Sequence, residues 1–195
     1  MPGHTSITPR ISKELRDRLG QRVAQDVERR RAFLQDPRWA VSRRMPAAER
    51  ATVRAALRAH IADLRASGEL LDTVDALMTH AVKAELTLRG WNLDWPPVPA
   101  NAPKSGRWPG SLHEHWPVKI NARIPADLAT RVHAACYHTS KEAIDALRVW
   151  RDDHPEIVTP RSDPAAWREY QELADQVTTP GDIWRASLQL LLGDQ

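Results

Sequence analysis

A short pattern of apolar and basic residues occurs twice, without a gap, in this chain of 195 residues. The segment ITPRISKELRDRL, residues 7–19, aligns with INARIPADLATRV, residues 120–132. The matched positions are Ile7 with Ile120, Arg10 with Arg123, Ile11 with Ile124, Leu15 with Leu128 and Arg18 with Arg131. Each copy predicts a short strand that ends in arginine and leads directly into a helix. The repeat constrains the fold strongly, because units that repeat usually bury their apolar faces against one another.

A third and weaker copy follows near the C-terminus. The stretch VTPRSDPAAW, which begins at Val158, again places an apolar residue, Thr, Pro and Arg before the start of a helix. We therefore expect repeat units at about residues 6–19, 117–152 and 156–193.

A segment rich in proline and tryptophan separates the first copy from the second. Residues 91–117 contain six Pro and four Trp, and no helical or strand period continues through them. Proline fixes φ and removes a backbone donor, so this segment should be extended or turning, with some tryptophans packed back on a domain. We predict a helical domain at 1–90, a linker at 91–116 and a tandem strand-helix-helix region at 117–195.

The predicted domain at 1–90 contains three helical stripes. The first has apolar residues every four positions from Ile11 to Val27, with Ser12 as its cap, and Asp36-Pro37 breaks it. The second runs from about Pro46 to Gly68, and the third from about Glu69 to Leu88 before Gly90.

Four further helices are predicted after the linker. One begins after Pro125, and a second, KEAIDALRVW, is preceded by Ser140 as a possible cap. Two more are opened by Asp163-Pro164 and by Thr179-Pro180. The expected fold class is therefore mainly α with short β-ribbon strands, consisting of a helical N-terminal region and strand-helix-helix units at the C-terminus.

The strand VKINARIP, residues 118–125, alternates between two faces. Its apolar side chains fall on one face, and Lys119, Asn121 and Arg123 fall on the other. An isolated strand must pair to satisfy its backbone, either with a second chain or with another copy in the same chain. A two-stranded ribbon fits the major groove of DNA, where Arg and Lys match guanine and Asn matches adenine. A solvated strand face is the simpler alternative.

Residues 118–150 resemble the ribbon-helix-helix superfamily, the Arc, MetJ and CopG-like DNA-binding proteins. The resemblance implies that Lys119, Asn121 and Arg123 contact bases, with Pro125 at the junction between strand and helix. It also implies that the segment SKEAIDAL begins the second helix, whose N-terminal amides would hold a DNA phosphate at Ser140 and Lys141. Through the repeat, the further candidate DNA-binding residues are Thr8, Arg10, Thr159 and Arg161.

The charge is unevenly distributed along the chain. Residues 1–90 contain 17 Lys and Arg against 11 Asp and Glu, a net charge of +6, whereas residues 91–195 contain 11 against 14, a net charge of −3. A basic N-terminal region can attract phosphate, although a solvated helix face explains it equally well. We expect this region to contribute to the salt dependence of any DNA binding.

Other kinds of chemistry are weakly represented in the sequence. His113-Glu114-His115 has no second ligand cluster, and Cys136 with His133 and His138 lacks an oxyanion-forming motif, so a packed core thiol is expected instead. No phosphate-binding loop or dinucleotide fingerprint is present. We expect no catalytic activity, no metal and no cofactor.

The sequence thus predicts a cytoplasmic, nucleoid-associated DNA-binding protein of bacterial, plasmid or mobile-element type, either a transcriptional repressor or a partition or transfer accessory factor. Expected partners are double-stranded DNA, a second copy of the chain or of the repeat, and a possible protein bound by the N-terminal helices. No transmembrane segment is expected. The alternative is a protein-interaction module, antitoxin-like or a helical scaffold, that does not bind DNA.

Overall fold

The computed structural model describes residues 3–103, 108–109, 116–157 and 162–193. Its strands are β1 (His4–Ile7), β2 (Arg10–Ile11), β3 (Val118–Lys119) and β4 (Ala122–Pro125). Its helices are α1 (Lys13–Gln35), α2 (Ala47–Ser67), α3 (Val74–Leu88), α4 (Ala126–Thr139), α5 (Lys141–Asp153), α6 (Pro164–Ala174) and α7 (Pro180–Leu192), with a 3-10 turn at Pro37–Trp39. The predicted fold class, mainly α with short β strands, is confirmed.

The two copies of the repeated strand pair with each other inside the chain. β1 lies antiparallel to β4, and β2 lies antiparallel to β3. Both pairings share one register, in which Thr5 is opposite Ile124 and Arg10 is opposite Lys119. The four strands therefore form one continuous two-stranded structure, which we call the ribbon.

Pro9 explains the break in the middle of the ribbon. In the shared register Pro9 is opposite Ile120, and the Ile120 N–H donates to the Pro9 carbonyl oxygen at 3.1 Å. A pair of this kind normally exchanges two hydrogen bonds, but proline has no N–H to donate in return. Regular pairing is interrupted there and resumes at Arg10. Both strands of the ribbon are edge strands, where a proline is tolerated.

Most helix starts coincide with the predicted capping residues. The Ser12 hydroxyl accepts the Leu15 N–H at the start of α1, and the Asp163 carboxylate accepts two N–H groups of α6. Thr179 and Asp182 form a reciprocal capping box at the start of α7. These caps are short-range interactions, which is why the sequence predicts them.

The prediction that the third helix begins near Glu69 is wrong. α3 begins after Thr73, whose hydroxyl caps it. The apolar residues just before Thr73 belong to a connecting segment, where the Leu71 N–H donates to the Asp26 carboxylate at 2.7 Å. This contact with α1 turns the backbone away from a helical path before α3 starts.

Both predicted glycine ends are confirmed. Gly68 after α2 and Gly90 after α3 have positive φ angles, 80° and 67°, in the left-handed region that favours glycine. A Cβ at Gly68 would also overlap the imidazole of His80 on α3, so this ring would have to move.

The helices are arranged around a central pair. α3 and α7 pack against each other, α1 and α4 each contact both of them, and the ribbon contacts α3 through β4 and α7 through β2. Contacts from the first copy therefore have counterparts in the second. Among the described helices, none combines the length and apolar character needed to span a membrane.

α3 and α7 occupy equivalent places in the two copies. Each is capped by a threonine, Thr73 and Thr179, and the buried positions that follow have the same spacing. The matched buried residues are Leu77 with Ile183, Met78 with Trp184, Ala81 with Ser187 and Val82 with Leu188. The repeat unit therefore consists of a strand, a first helix (α1 or α4) and a second helix (α3 or α7).

The predicted domain at 1–90 and the predicted region at 117–195 contribute to one core. A single cluster of buried apolar side chains includes residues of α1, α3, the ribbon, α4 and α7. The two copies build this core together, because their strands pair. Each copy also contains a segment inserted between its first and second helix, at 36–72 (the first insertion) and at 140–178 (the second insertion).

The predicted linker packs back on the second copy, as expected for its tryptophans. Trp108 is 4% exposed and meets the His133 ring edge-on at 5.3 Å between centroids. Trp95 stacks on His138 at 5.9 Å. The described part of residues 91–116 is therefore attached to α4 by ring contacts.

Candidate nucleic-acid interface

The outer face of the ribbon presents the candidate residues of the first two copies side by side. Alternate side chains on this face are exposed: His4, Ser6, Thr8, Arg10, Lys119, Asn121 and Arg123. The intervening side chains face the core, where Ile11 and Ile124 are fully buried. Three of the outer side chains carry a formal positive charge and none is acidic, so the face is an uninterrupted set of polar and basic groups.

Most of these outer groups have no partner within the chain. Within the described residues, the side chains of Thr8, Lys119, Asn121 and Arg123 make no hydrogen bond or ion pair. The Arg10 guanidinium donates to the Trp116 carbonyl oxygen at 3.3 Å and is otherwise exposed. These donors do not stabilise the fold through a partner, and they are open to an external acceptor.

Two residues of this face and one at its edge were not predicted from the sequence. Ser6 is opposite Arg123, and its position in the repeat is equivalent to Lys119. His4 lies two residues before it on the same face. Extending the repeat alignment by one residue before Ile7 would have found Ser6. Asp75, at the edge, belongs to α3 and has no signal in the strand sequence.

Asp75 brings a carboxylate to one end of the ribbon. The backbone N–H of Arg123 donates to its Oδ1 at 2.8 Å. This N–H points outward because Arg123 and Ser6 are a pair that exchanges no ladder hydrogen bonds. The bond attaches β4 to the first turn of α3, and it places a negative charge beside the otherwise basic face.

The segment SKEAIDAL, where the resemblance places the start of the second helix, does not form the helix that α3 matches in the other copy. That segment is α5, which packs on α6, whereas α3 and α7 are the equivalent second helices. Ser140 is 2% exposed and its Oγ accepts the Thr178 N–H at 2.9 Å, so its hydroxyl is not available to a phosphate. It separates α4 from α5 without a side-chain cap. Lys141 is exposed, but Asp145 one turn later pairs with its ammonium and raises its pKa.

The N-termini of α3 and α7 are occupied by the chain's own carboxylates. At α3, Asp75 lies in the first turn. At α7, Asp182 accepts the Thr179 N–H at 2.7 Å and pairs with Arg185. A carboxylate in the first turn already satisfies the partial positive charge of a helix start. Neither end is an open anion site.

Some predicted residues lie outside the described residues. These are Thr159 and Arg161 of the third copy and the His113-Glu114-His115 cluster. Among the described residues, no group of three or more His, Cys, Asp and Glu side chains is arranged to hold a metal ion.

Cys136 is a core residue of α4. It is fully buried, and burial raises the pKa of its thiol to about 12, so the thiol is protonated at neutral pH. His133 and His138 contact Trp108 and Trp95 instead of activating the thiol. Burial also lowers the pKa of His133. The two histidines thus hold the tryptophan segment against α4.

A second basic surface lies on α2, in the first insertion. Arg50, Arg54 and Arg58 recur every four residues along one side of this helix, and within the described residues none of them has an ion-pair or hydrogen-bond partner. Of the side chains of α2, only Ile61 is buried. The helix is therefore an exposed, arginine-bearing element away from the core.

Comparisons of the chain with protein-family models, with curated proteins and with solved structures find no match.

Proposed function

We propose that this protein binds double-stranded DNA and reads base edges in the major groove with the outer face of the ribbon. The resemblance of residues 118–150 to the ribbon-helix-helix superfamily supports this proposal. The protein would act as a bacterial or plasmid-borne repressor, or as a partition or transfer accessory factor, associated with the nucleoid.

The observation that carries the proposal is the outer face of the ribbon itself. Lys119, Asn121 and Arg123 are exposed, lie at alternate positions on one strand and have no partner among the described residues. Thr8 and Arg10 lie on the facing strand. Two paired strands have a width that the major groove admits, and these side chains are donors that suit the O6 and N7 of guanine and the edge of adenine.

Phosphate contacts must come from elsewhere on the surface. The carboxylates at the starts of α3 and α7 would repel a phosphate there. The phosphate contact of a helix N-terminus, which the resemblance implies, therefore does not carry over to these helices. Arg54 and Arg58, which are exposed on α2, and the partly exposed Arg50 are the basic groups best suited to the DNA backbone. Neutralising phosphates makes affinity fall with salt, by a slope of about 0.9 per phosphate contacted.

The test is a pair of measurements on Arg123→Ala and Asn121→Ala. A fluorescence-anisotropy titration measures binding to a duplex selected by the parent protein, at two salt concentrations, and a melting curve measures stability. We expect each variant to weaken specific binding by roughly 1–3 kcal/mol, the typical value of a good base contact. Stability should change by about 0.5 kcal/mol or less, because both side chains are exposed and the Arg123 backbone bond to Asp75 is retained.

The matched control for Arg123→Ala is Arg168→Ala. Arg168 is exposed on α6, remote in sequence from the ribbon, and it has no hydrogen-bond or ion-pair partner within the described part of the chain. Its loss removes the same charge without touching the outer face. Equal affinities of the parent and Arg123→Ala for the selected duplex would mean that the ribbon face is only a solvated surface.

The second candidate function is a protein-interaction module without DNA binding. The observation that favours it is Asp75, whose carboxylate lies beside the ribbon where a phosphate would be repelled. On this hypothesis the same donors meet acidic or carbonyl groups of a protein. Absence of duplex binding even at low salt would favour it over the DNA-binding hypothesis.

A further inference from the structure

The ribbon has an approximate two-fold axis that relates the two copies of the repeat. Equivalent residues are 113 positions apart in sequence, as Arg10 and Arg123 are. The observed register places Thr8 opposite Asn121, and these two residues are themselves equivalent in the repeat. The axis therefore passes between Thr8 and Asn121 and divides the outer face into two halves.

The two halves are not chemically equal. In one, which we call the Arg10 half, Arg10 faces Lys119 across the strands. In the other, the Arg123 half, Arg123 faces Ser6. The arginines are equivalent, but Lys119 in the first half is replaced by Ser6 in the second. The Arg10 half has two cationic side chains and the Arg123 half has one.

The helices that flank the ribbon add to this difference. Asp75 in the first turn of α3 hydrogen bonds to the Arg123 backbone, and the equivalent position in α7 is Gly181, which has no side chain. Asp182 of α7 pairs with Arg185, so this pair adds no net charge. The Arg123 half thus has one cation beside one carboxylate, while the Arg10 half has two cations.

We infer that the DNA site of this protein is asymmetric, with one chain covering two unlike half-sites and the Arg10 half forming the tighter contact. The inference rests on the proposed function. Proteins with true two-fold symmetry select palindromic sites because their two halves are identical. Here a single chain supplies both halves, and Lys at one of them favours guanine acceptors that Ser does not require.

The experiment starts with selection of duplexes from a random-sequence library by the full-length protein. The selected sequence is then compared with two symmetrised duplexes, each made by duplicating one half-site. We expect a selected site without dyad symmetry, and weaker binding to both symmetrised duplexes by about tenfold, the effect of one mismatched contact of about 1.4 kcal/mol.

Two reciprocal variants sharpen the test. Lys119→Ser makes both halves Arg with Ser, so its preference should move to the duplex that duplicates the Arg123 half-site. Ser6→Lys makes both halves Arg with Lys, so its preference should move to the other symmetrised duplex. Ser42→Lys is the control: Ser42 is exposed in the loop before α2, and there the same charge should change affinity for both duplexes equally.

The possible failures of the two proposals are distinguishable. A palindromic selected site, or variants that keep the parent's preference, would overturn the inference and leave DNA binding standing. If no sequence is enriched and no duplex binds at low salt, the proposed function is overturned, and the asymmetric site with it.

Discussion

The two copies of the repeat build one shared core, which we call the frame and which consists of the ribbon, α1, α3, α4 and α7. The insertions of the two copies are attached to this frame by different kinds of contact. The first insertion, at 36–72, contains the largely exposed α2 and is joined to α1 by one ion pair and two hydrogen bonds. Of its side chains, Leu71 alone belongs to the main core. The second insertion, at 140–178, contains α5 and α6, and its apolar side chains join the main core: Ala143, Ile144, Leu147, Trp150, Ile157, Tyr170, Ala174 and Val177. The frame requires both copies, whereas the strength with which each insertion is attached depends on that insertion's own contacts.

The attachment of the first insertion depends on two buried carboxylates. Asp26 of α1 accepts the Leu71 N–H and pairs with Arg22 and Arg29. The second carboxylate, at the end of the insertion, belongs to Asp72, which pairs with the guanidinium groups of Arg30 and Arg65. Exposed parts of the arginines keep these pairs in contact with water. This attachment should therefore respond to pH and salt.

The largest expected effect tests the shared frame. Ile11 and Ile124 are equivalent residues of the two copies, and both are fully buried under the ribbon. Ile11→Asp and Ile124→Asp each bury an unpaired carboxylate, at a cost of more than about 4 kcal/mol, comparable with the whole stability of a small domain. We expect both variants to lose the entire helical signal in circular dichroism.

The control for these variants is Thr8→Asp, on the outer face of the same ribbon. It introduces the same charge at an exposed position and should leave the fold intact. A variant that loses only the helices of its own copy, and keeps those of the other, would mean that the two copies fold separately and that the comparison of one frame with two insertions is mistaken.

A smaller effect is expected from the aromatic attachment of the second insertion. Trp150 is 7% exposed, stacks on His154 at 4.6 Å and contacts Tyr170 at 5.1 Å between ring centroids. Trp150→Ala should lower the free energy of unfolding by about 3–5 kcal/mol, as for other buried aromatic residues. Urea denaturation followed by circular dichroism measures this change.

Trp39→Ala is the matched variant in the first insertion. Trp39 is partly exposed and stacks on His60 at 5.5 Å. We expect it to increase hydrogen exchange in α2 while leaving the global urea midpoint nearly unchanged, because α2 and the Pro37–Trp39 turn lie outside the main core. Equal shifts of the global midpoint in both variants would show that the insertions are attached with equal strength.

The next prediction concerns acid. Burial alone would raise the pKa of the Asp26 carboxyl, but its hydrogen bonds and arginine partners outweigh burial and hold the pKa below its usual value. The same balance, with Arg65 and Arg30 as partners, lowers the pKa of Asp72. Stability from these groups is fully present above the unfolded carboxyl pKa of about 3.9 and is lost as the pH falls through the lower folded values.

Below about pH 4 the first insertion should therefore loosen before the second, which is attached by apolar contacts. Hydrogen exchange at pH 3 and pH 6 measures the order. Asp26→Asn should reproduce the loosening at neutral pH at a cost of about 1–3 kcal/mol, since the ion pairs are lost in a buried place. Asp63→Asn, an exposed change on α2, should have no such effect. If α5 and α6 loosen first, the assignment of the two attachments is reversed.

The features that were predicted correctly from the sequence depend on residues that lie near one another in the chain. Ser12, Asp163 and Thr179 cap helices through bonds to residues two or three positions away, so local pattern predicted these starts. The outer face of the ribbon followed from the period of two, since Lys119 and Arg123 alternate with buried residues. Whether the two strands would pair within one chain or between chains was left open, and the antiparallel pairing of β1 with β4 settles it for this structure.

Contacts between distant residues explain what was missed. Thr73 caps α3 through a local bond to the Ala76 N–H. The segment before it is held to α1 by a hydrogen bond between Leu71 and Asp26, 45 positions apart, and no local pattern encodes that bond. The equivalence of α3 and α7 was hidden because the first helices differ in length, with 23 residues in α1 and 14 in α4. The second helices are therefore 106 positions apart while the strands are 113 apart. Ser140 was predicted as a helix cap and a phosphate contact because its partner, Thr178, is 38 positions away and gives no local signal.

The smallest expected effect tests whether the arginines of α2 stabilise this helix or destabilise it by mutual repulsion. Arg54 lies one turn from both Arg50 and Arg58, and like charges four residues apart destabilise a helix by about 0.2–0.5 kcal/mol per pair. Arg54→Gln removes both repulsions and retains a good helix former. We expect α2 to become more stable by a few tenths of a kcal/mol, measured as slower hydrogen exchange, with more change at low salt than at high salt because ions screen exposed charges.

If the proposed DNA binding uses this stripe, the same variant should lower the salt slope of binding by up to about 0.9. Arg168→Ala, which has no such neighbours, should leave hydrogen exchange in α2 unchanged. Faster exchange of α2 in Arg54→Gln would mean that the arginine stripe stabilises the first insertion, and that its basic character is a structural feature of this helix.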